Sequence, residues 1–120
     1  MIDAAWAKDF AQEWVEAWNS HDLDRIFAHF TDDFEMTSPL IVQRGYEASG
    51  TLHGKNAVRP YWQAGLDALL PLRFELVDVL IGVNSITIYF RQTSGKLAAE
   101  VLIFNDQGQV VKGIAHHTMQ

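Results

Sequence analysis

Apolar residues in the first half of the chain recur at helical spacing, and those in the second half at strand spacing. Within residues 4–19, Ala7, Phe10, Ala11, Trp14, Val15 and Trp18 fall at three- and four-residue intervals. Lys8, Asp9, Gln12, Glu13 and Glu16 lie mostly off that stripe, so the pattern predicts an amphipathic helix. Asn19-Ser20-His21 interrupts it, and Asp22 suits the N-cap of a second, short helix carrying Leu23, Ile26, Phe27 and Phe30. Thr31-Asp32-Asp33 reads as a turn and Phe34 to Leu40 as extended chain. Residues 41–54, punctuated by Gly45, Gly50 and Gly54, read as a loop or flap of a length often tied to function. A third helix is expected from about Asn56 to Leu70, with Val58, Tyr61, Trp62, Leu66, Leu69 and Leu70 inward. Pro60 must then sit in its first turn, where backbone N–H groups have no intrahelical partner. Pro71 closes that helix, and Leu72 to Gly82 reads as a long strand leading to a turn at Asn84.

The stretch from Ser85 to Met119 reads as three antiparallel strands. Ile86, Ile88 and Phe90 alternate with Thr87, Tyr89 and Arg91, and the turns fall at Ser94-Gly95 and Gln107-Gly108. With two-residue turns, Arg91 pairs with Ala98, Tyr89 with Glu100, Glu100 with Ala115 and Ala98 with His117. One face then gathers Tyr89, Arg91, Glu100 and His117. The opposite face carries Ile86, Ile88, Phe90, Val101, Ile103, Val110 and Ile114. Helices early and strands late, in the order ααβαββββ, make an α+β pattern. Those helices can cover only one side of the sheet, so the Ile/Val/Phe side is expected to form a homodimer interface.

Composition narrows the possible functions. A chain of 120 residues, 48% hydrophobic and 12% aromatic, is expected to form one domain with a filled core. No cysteine is present, which excludes disulfides and thiolate metal sites and fits a cytoplasmic location. A net charge of −6 with nine Lys+Arg and no basic run argues against a nucleic-acid partner. The N-terminus lacks a signal-peptide pattern, and no apolar run is long enough to span a membrane. No H-x-x-x-H or carboxylate-triad spacing occurs, so neither a metal nor another cofactor is expected.

Several segments resemble the NTF2-like superfamily, and its SnoaL-like branch in particular. These are Trp14 to Asp24 with Phe27, Phe30 and Thr31-Asp32-Asp33-Phe34, then Gly50 to Arg59, and finally Phe104 to Val111. The resemblance implies a cone of helices in the hollow of a curved, mainly antiparallel sheet, a pocket between them, and commonly a dimer. It implies no single activity, because the fold hosts isomerases, polyketide cyclases, epoxide hydrolases and non-enzymatic association domains. Ketosteroid isomerase shares the fold and uses an Asp base with an oxyanion hole of Tyr and protonated Asp. By motif, Trp14 stands in place of that Tyr, Ser38 in place of the base and Glu100 in place of the neutral acid. The phenol and the carboxylate base are thus both replaced, and only Glu100 keeps its role.

Glu100 is the sole charge in the apolar run from Leu97 to Phe104. It either pairs with Arg91 diagonally across the hairpin or serves as a site acid. Arg91 is a candidate clamp for a ligand oxyanion, with a solvent-exposed hairpin end as the plain alternative. His116 and His117 must point to opposite faces, and His117 is the general-base candidate. His21, His29 and His53 read as exposed. Trp14, Trp18, Phe30, Met36, Ser38, Tyr61, Trp62, Tyr89, Leu102 and Ala115 are the expected ligand-binding residues, solid core being their more ordinary use. Small Ala98, Gly113 and Ala115 leave room opposite the helices. Two functions remain open: acid–base isomerase, cyclase or hydratase chemistry on a small apolar molecule, or non-catalytic ligand binding or association.

Overall fold

The structure, a computed structural model, describes residues 1–68 and 71–119, so the expected inward placement of Leu69 and Leu70 lies outside the described residues. Helix α1 spans Ala4–Ser20 and α2 Leu23–Phe27. Both begin where the sequence supplies a cap: Asp3 accepts from the Trp6 N–H at 2.9 Å and Asp22 from the Arg25 N–H at 3.2 Å. The break between them is a left-handed turn at His21, φ 62°, whose Nε2–H donates to the Leu72 carbonyl at 2.9 Å. His29 Nε2 lies 3.1 Å from Glu13 Oε2. Neither histidine is the exposed residue expected from sequence, because each ties α1 or its flank to another element.

Strand β1 (Phe30–Thr37) starts earlier than expected and absorbs both Phe30 and the supposed turn at Thr31. The segment expected to be a loop contains a short helix, α3 (Pro39–Gln43), and a three-residue strand, β2 (Thr51–His53). Helix α4 (Lys55–Ala68) places Pro60 in its second turn, not its first. The carbonyl that Pro60 leaves without a partner belongs to Asn56, and both residues are exposed, so water can satisfy it. Four strands complete the fold: β3 (Glu75–Ile81), β4 (Ser85–Arg91), β5 (Leu97–Phe104) and β6 (Val110–His117).

The six strands form one sheet in the order β2-β1-β6-β5-β4-β3, antiparallel except for the β1–β6 pair. It is the expected α+β architecture, with helices packed in the hollow of a mainly antiparallel sheet. No described helix is long and apolar enough to cross a membrane.

The β4–β5 register differs by one residue from the expected one. Gln92 to Lys96 form a five-residue connection, closed by Gln92 N–H to Lys96 O and Gly95 N–H to Gln92 O, both 2.8 Å. Arg91 therefore pairs with Leu97 and Ile88 with Glu100. A slip of one residue turns every side chain of the strand to the other face. Ile86, Ile88 and Phe90 are 1%, 0% and 3% exposed and belong to the core, not to an outer interface. Thr87, Tyr89 and Arg91 take the outer face instead. The β5–β6 pairing keeps the expected partners, Ala98 with His117 and Glu100 with Ala115, but a register shift near Phe104 turns Val110 into the core. Of the residues assigned to the outer face, Val101, Ile103 and Ile114 remain there, half-buried.

Candidate functional site

Three rows of side chains cross the inner face of the sheet. One runs Leu76–Phe90–Ala98–His117, the next Val79–Ile88–Glu100–Ala115, and the third Ile81–Ile86–Leu102–Gly113–Met36. The third row is closed at Gly113: a Cβ there would lie 3.0 Å from Met36 Sδ and 3.5 Å from a Leu102 methyl. Gly113 therefore makes room for Met36, not for a ligand. The first two rows face an aromatic cluster in which Trp14 of α1 stacks on Phe74, just before β3, at 5.8 Å and meets Phe90 of β4 edge-on at 5.0 Å. Trp18 meets Trp62 edge-on at 5.1 Å, and Phe27 stacks on Trp62 at 4.9 Å. Such pairs contribute about 0.5–1.5 kcal/mol each beyond area burial, which holds the cluster's shape.

Between the cluster and the sheet lies a cavity, with about 90 Å³ in which the centre of a water molecule can move. That is room for several waters or one small ligand. Trp14, Trp18, Met36, Tyr61, Trp62, Phe90, Glu100 and Ala115 wall it and are all buried. Leu40, Gln92 and His117 are partly exposed and Arg44 is exposed. These four also line a concavity further out, together with Gln43, Ser94, Lys96, Thr118 and Met119. They mark the mouth.

Sequence reasoning placed Glu100, His117, Trp14, Trp18, Met36, Tyr61, Trp62 and Ala115 together, and the structure brings all eight to this wall. It does not bring the others. Phe30 and Leu102 are buried in solid core. Ser38, 2% exposed, caps α3 by accepting from the Leu40 N–H at 3.1 Å, while Tyr61 Oη donates to its Oγ at 3.3 Å. Arg91 and Tyr89 face away, and Arg91 Nη1 donates to the Gly95 carbonyl at 2.8 Å. The expected Arg91–Glu100 contact does not form, because the five-residue connection puts the two on opposite faces. Several lining residues escaped sequence analysis, among them Phe90, expected on the outer face, and two polar ones, Arg44 and Gln92. Arg44 was the lone cation in the 41–54 segment, and Gln92 follows Arg91 on a strand whose register was misplaced.

Glu100 is 8% exposed, and its neighbours across and along the sheet are Ile88, Ala115, Ala98 and Leu102. No hydrogen bond or ion pair reaches its carboxyl group among the described residues. Burial alone raises its pKa from 4.5 to about 8, so it is mostly a neutral acid at pH 7. Burial also holds the Tyr61 phenol above its ordinary value. His117 is shifted the other way, below 6.5, first by burial and then by the Arg44 and His116 charges. Its Nδ1 lies 3.1 Å from Gln92 Oε1. An amide oxygen can only accept, so Nδ1 carries the proton and Nε2 keeps its lone pair. The Nε1–H groups of Trp14 and Trp18 are buried without a hydrogen-bond partner. Trp14 and Trp18 thus each hold an unused donor at the cavity wall.

Among the described residues no group of three or more His, Asp or Glu side chains is placed to hold a metal ion. The polar groups lining the cavity include a neutral acid, a neutral base, a phenol, two unpaired indole donors, the Gln92 amide and the Arg44 guanidinium, and Lys96 lies on the concavity further out.

Comparison with known proteins gives the same fold. The SnoaL-like domain profile matches residues 11–120. A SnoaL-like protein of unknown function from Burkholderia thailandensis is 46% identical, with TM-score 0.94 and 98% of each chain covered. The epoxide hydrolase/cyclase-like enzyme SalBIII, of pyran ring formation in salinomycin, is 18% identical with TM-score 0.77, covering 99% of this chain and 95% of its own. An NTF2-like protein of unknown function from Cytophaga hutchinsonii is 10% identical with TM-score 0.70, covering 93% of this chain and 89% of its own. No curated protein matches the sequence.

Proposed function

The chain belongs to the SnoaL-like family, and from that premise we propose that its cavity binds a small, largely apolar molecule and performs acid–base chemistry on it, of isomerase, cyclase or hydratase type. The observation that carries this reading is the pair formed by neutral Glu100 and neutral His117. They lie on adjacent strands and on one face, with Ala98 opposite His117 and Ala115 opposite Glu100, so they are diagonal neighbours within roughly 7–8 Å. A proton donor and a lone pair at that spacing can serve two ends of one small substrate. Glu100 would give its proton to a carbonyl, epoxide or leaving oxygen, and His117 Nε2 would take one from carbon or water. The apolar walls keep Glu100 protonated and strengthen any hydrogen bond it gives. The likeness to an epoxide hydrolase/cyclase-like enzyme is consistent with such chemistry but, at that identity, speaks only for the fold.

The test uses small cyclic ketones as probes. Wild-type protein should accelerate exchange of their α-hydrogens with deuterium oxide, followed by proton NMR. Glu100→Gln should slow exchange by about 10²-fold or more, because general acid–base groups contribute roughly 10²–10⁴. Bound ketones that show no acceleration would rule out the proton-transfer reading.

One observation favours a second reading, non-catalytic ligand binding. Ser38, which the resemblance sets in place of the isomerase base, is committed to capping α3 and receiving the Tyr61 hydroxyl. In that reading Glu100 and His117 only orient a ligand. Native mass spectrometry of the purified protein, looking for a co-purifying metabolite, would identify the ligand under either one. A homodimer through the outer face of the sheet is part of the same proposal.

A further inference from the structure

Among the described residues Arg44 and Arg73 make no side-chain hydrogen bond or ion pair, and of the two only Arg44 lines the cavity. Arg25 is held by Glu13 and Glu16, Arg59 by Asp24, and Arg91 by a backbone carbonyl. Among the described residues Arg44 makes no ion pair, although the chain carries fifteen Asp and Glu. Its position is nevertheless built. The short helix α3 starts at the Ser38 cap and ends at Arg44, whose N–H donates to the Leu40 carbonyl at 2.9 Å. The guanidinium carbon lies 6.0 Å from the centre of the Tyr61 ring, and Nη1 would be 3.6 Å from a Cβ on Gly65. The guanidinium thus rests beside α4 at Gly65, at a distance where even a Cβ would make only ordinary contact, and Tyr61 flanks it. No Asp lines the cavity or its mouth, and the one Glu there is Glu100.

We propose that Arg44 anchors a ligand carboxylate at the mouth, so that the molecules this site accepts are small apolar acids with their hydrocarbon part against the tryptophans. This rests on the reading of the cavity as a ligand site and names the class of ligand. The guanidinium fork matches a carboxylate in two parallel hydrogen bonds. Gln92 and His117 line the same mouth and offer further polar contacts. A phosphate, with its higher charge, calls for several converging cations, whereas among the described residues Arg44 supplies the guanidinium against the cavity and Lys96 lies only on the concavity further out. The carboxylate end would stay at the rim, leaving the hydrocarbon end to reach Glu100.

The experiment is calorimetric titration at pH 7 with pentanoate and with pentanamide, which match in size and differ in charge. Wild-type protein should bind pentanoate about tenfold more tightly or better, as expected for a charge-assisted pair. Arg44→Gln should bring the two probes to within about twofold of each other, and Arg44→Lys should keep part of the preference as a point charge without the fork. Equal binding of both probes to wild type, or a preference that survives Arg44→Gln, would overturn the anchor and leave the pocket intact. Binding of neither probe would overturn the anchor and the ligand-site reading together.

Discussion

Glu100 is protonated because of what surrounds it, and the same surroundings make it a stability element that works in one direction. In the unfolded chain it ionises near 4.5, in the folded protein near 8. Between those values the unfolded state loses its proton first, so folding stability falls as pH rises, by on the order of 1 kcal/mol per pH unit at most. His117 has the opposite sign. Its folded value lies below 6.5, so it costs stability only as the pH falls below that point. Above pH 6.5 the Glu100 effect can be read without it. Urea midpoints of the wild type should decline from pH 6.5 to 8, and those of Glu100→Gln should stay nearly flat. Parallel slopes for the two proteins would mean that Glu100 is ionised or paired at neutral pH, and its role as a proton donor would go with it. A second consequence concerns Gln92. Gln92→Leu removes the acceptor that fixes His117 Nδ1–H, so the pH dependence of any exchange activity should shift while the fold is retained.

The first two helices were legible because apolar positions at spacing 3.6 and capping aspartates agree on where each begins. The hairpins show where legibility ended. Two connections of the same length join the last three strands, Gln92 to Lys96 and Asn105 to Gln109, each closed by the same kind of backbone bonds. Both were expected to be two-residue turns. In the second, the register shift beside Phe104 cancels the error, so Glu100 and His117 fall where the sequence suggested. In the first nothing cancels it, and Tyr89 and Arg91 go to the outer face. Alternation along β4 pointed to the right answer, since Ile86, Ile88 and Phe90 make its apolar face and Thr87, Tyr89 and Arg91 its polar one, but the assumed two-residue turn overrode it. Arg44 was hidden for another reason: α3 is only five residues long, too short for periodicity to declare it. The two arginines give a direct check on the register. Arg91→Gln should change pentanoate affinity by less than about twofold, against the roughly tenfold loss set out for Arg44→Gln. A large effect of Arg91→Gln in the same titration would mean that β4 faces the other way.

At the scale of the molecule, the sheet has one face committed to the helices and the cavity, and the other turned away from them. A row of side chains crosses that outer face on five strands: Leu80, Thr87, Val101, Ile114 and Thr37. None is charged, in a chain whose net charge is −6. Charged side chains lie in the flanking rows, where Asp78 sits opposite Tyr89 on one side and Lys112 is 3.7 Å from Glu35 on the other. Leu80 at the end of the row is 55% exposed. A neutral band with charged margins is self-complementary under a two-fold axis, since each copy can set its own band against the other's and leave the margins wet. We therefore expect a homodimer whose central contact is Val101, although Ile86, Ile88, Phe90 and Val110 take no part in it. Light scattering at micromolar concentration should give twice the chain mass of 13.6 kDa. Val101→Lys puts a charge in the middle of the band and should yield a monomer that still folds and still binds pentanoate, because the cavity lies on the other face. A wild-type monomer at that concentration would remove the interface. A Val101→Lys protein that dimerises as well as wild type would move it elsewhere on the surface.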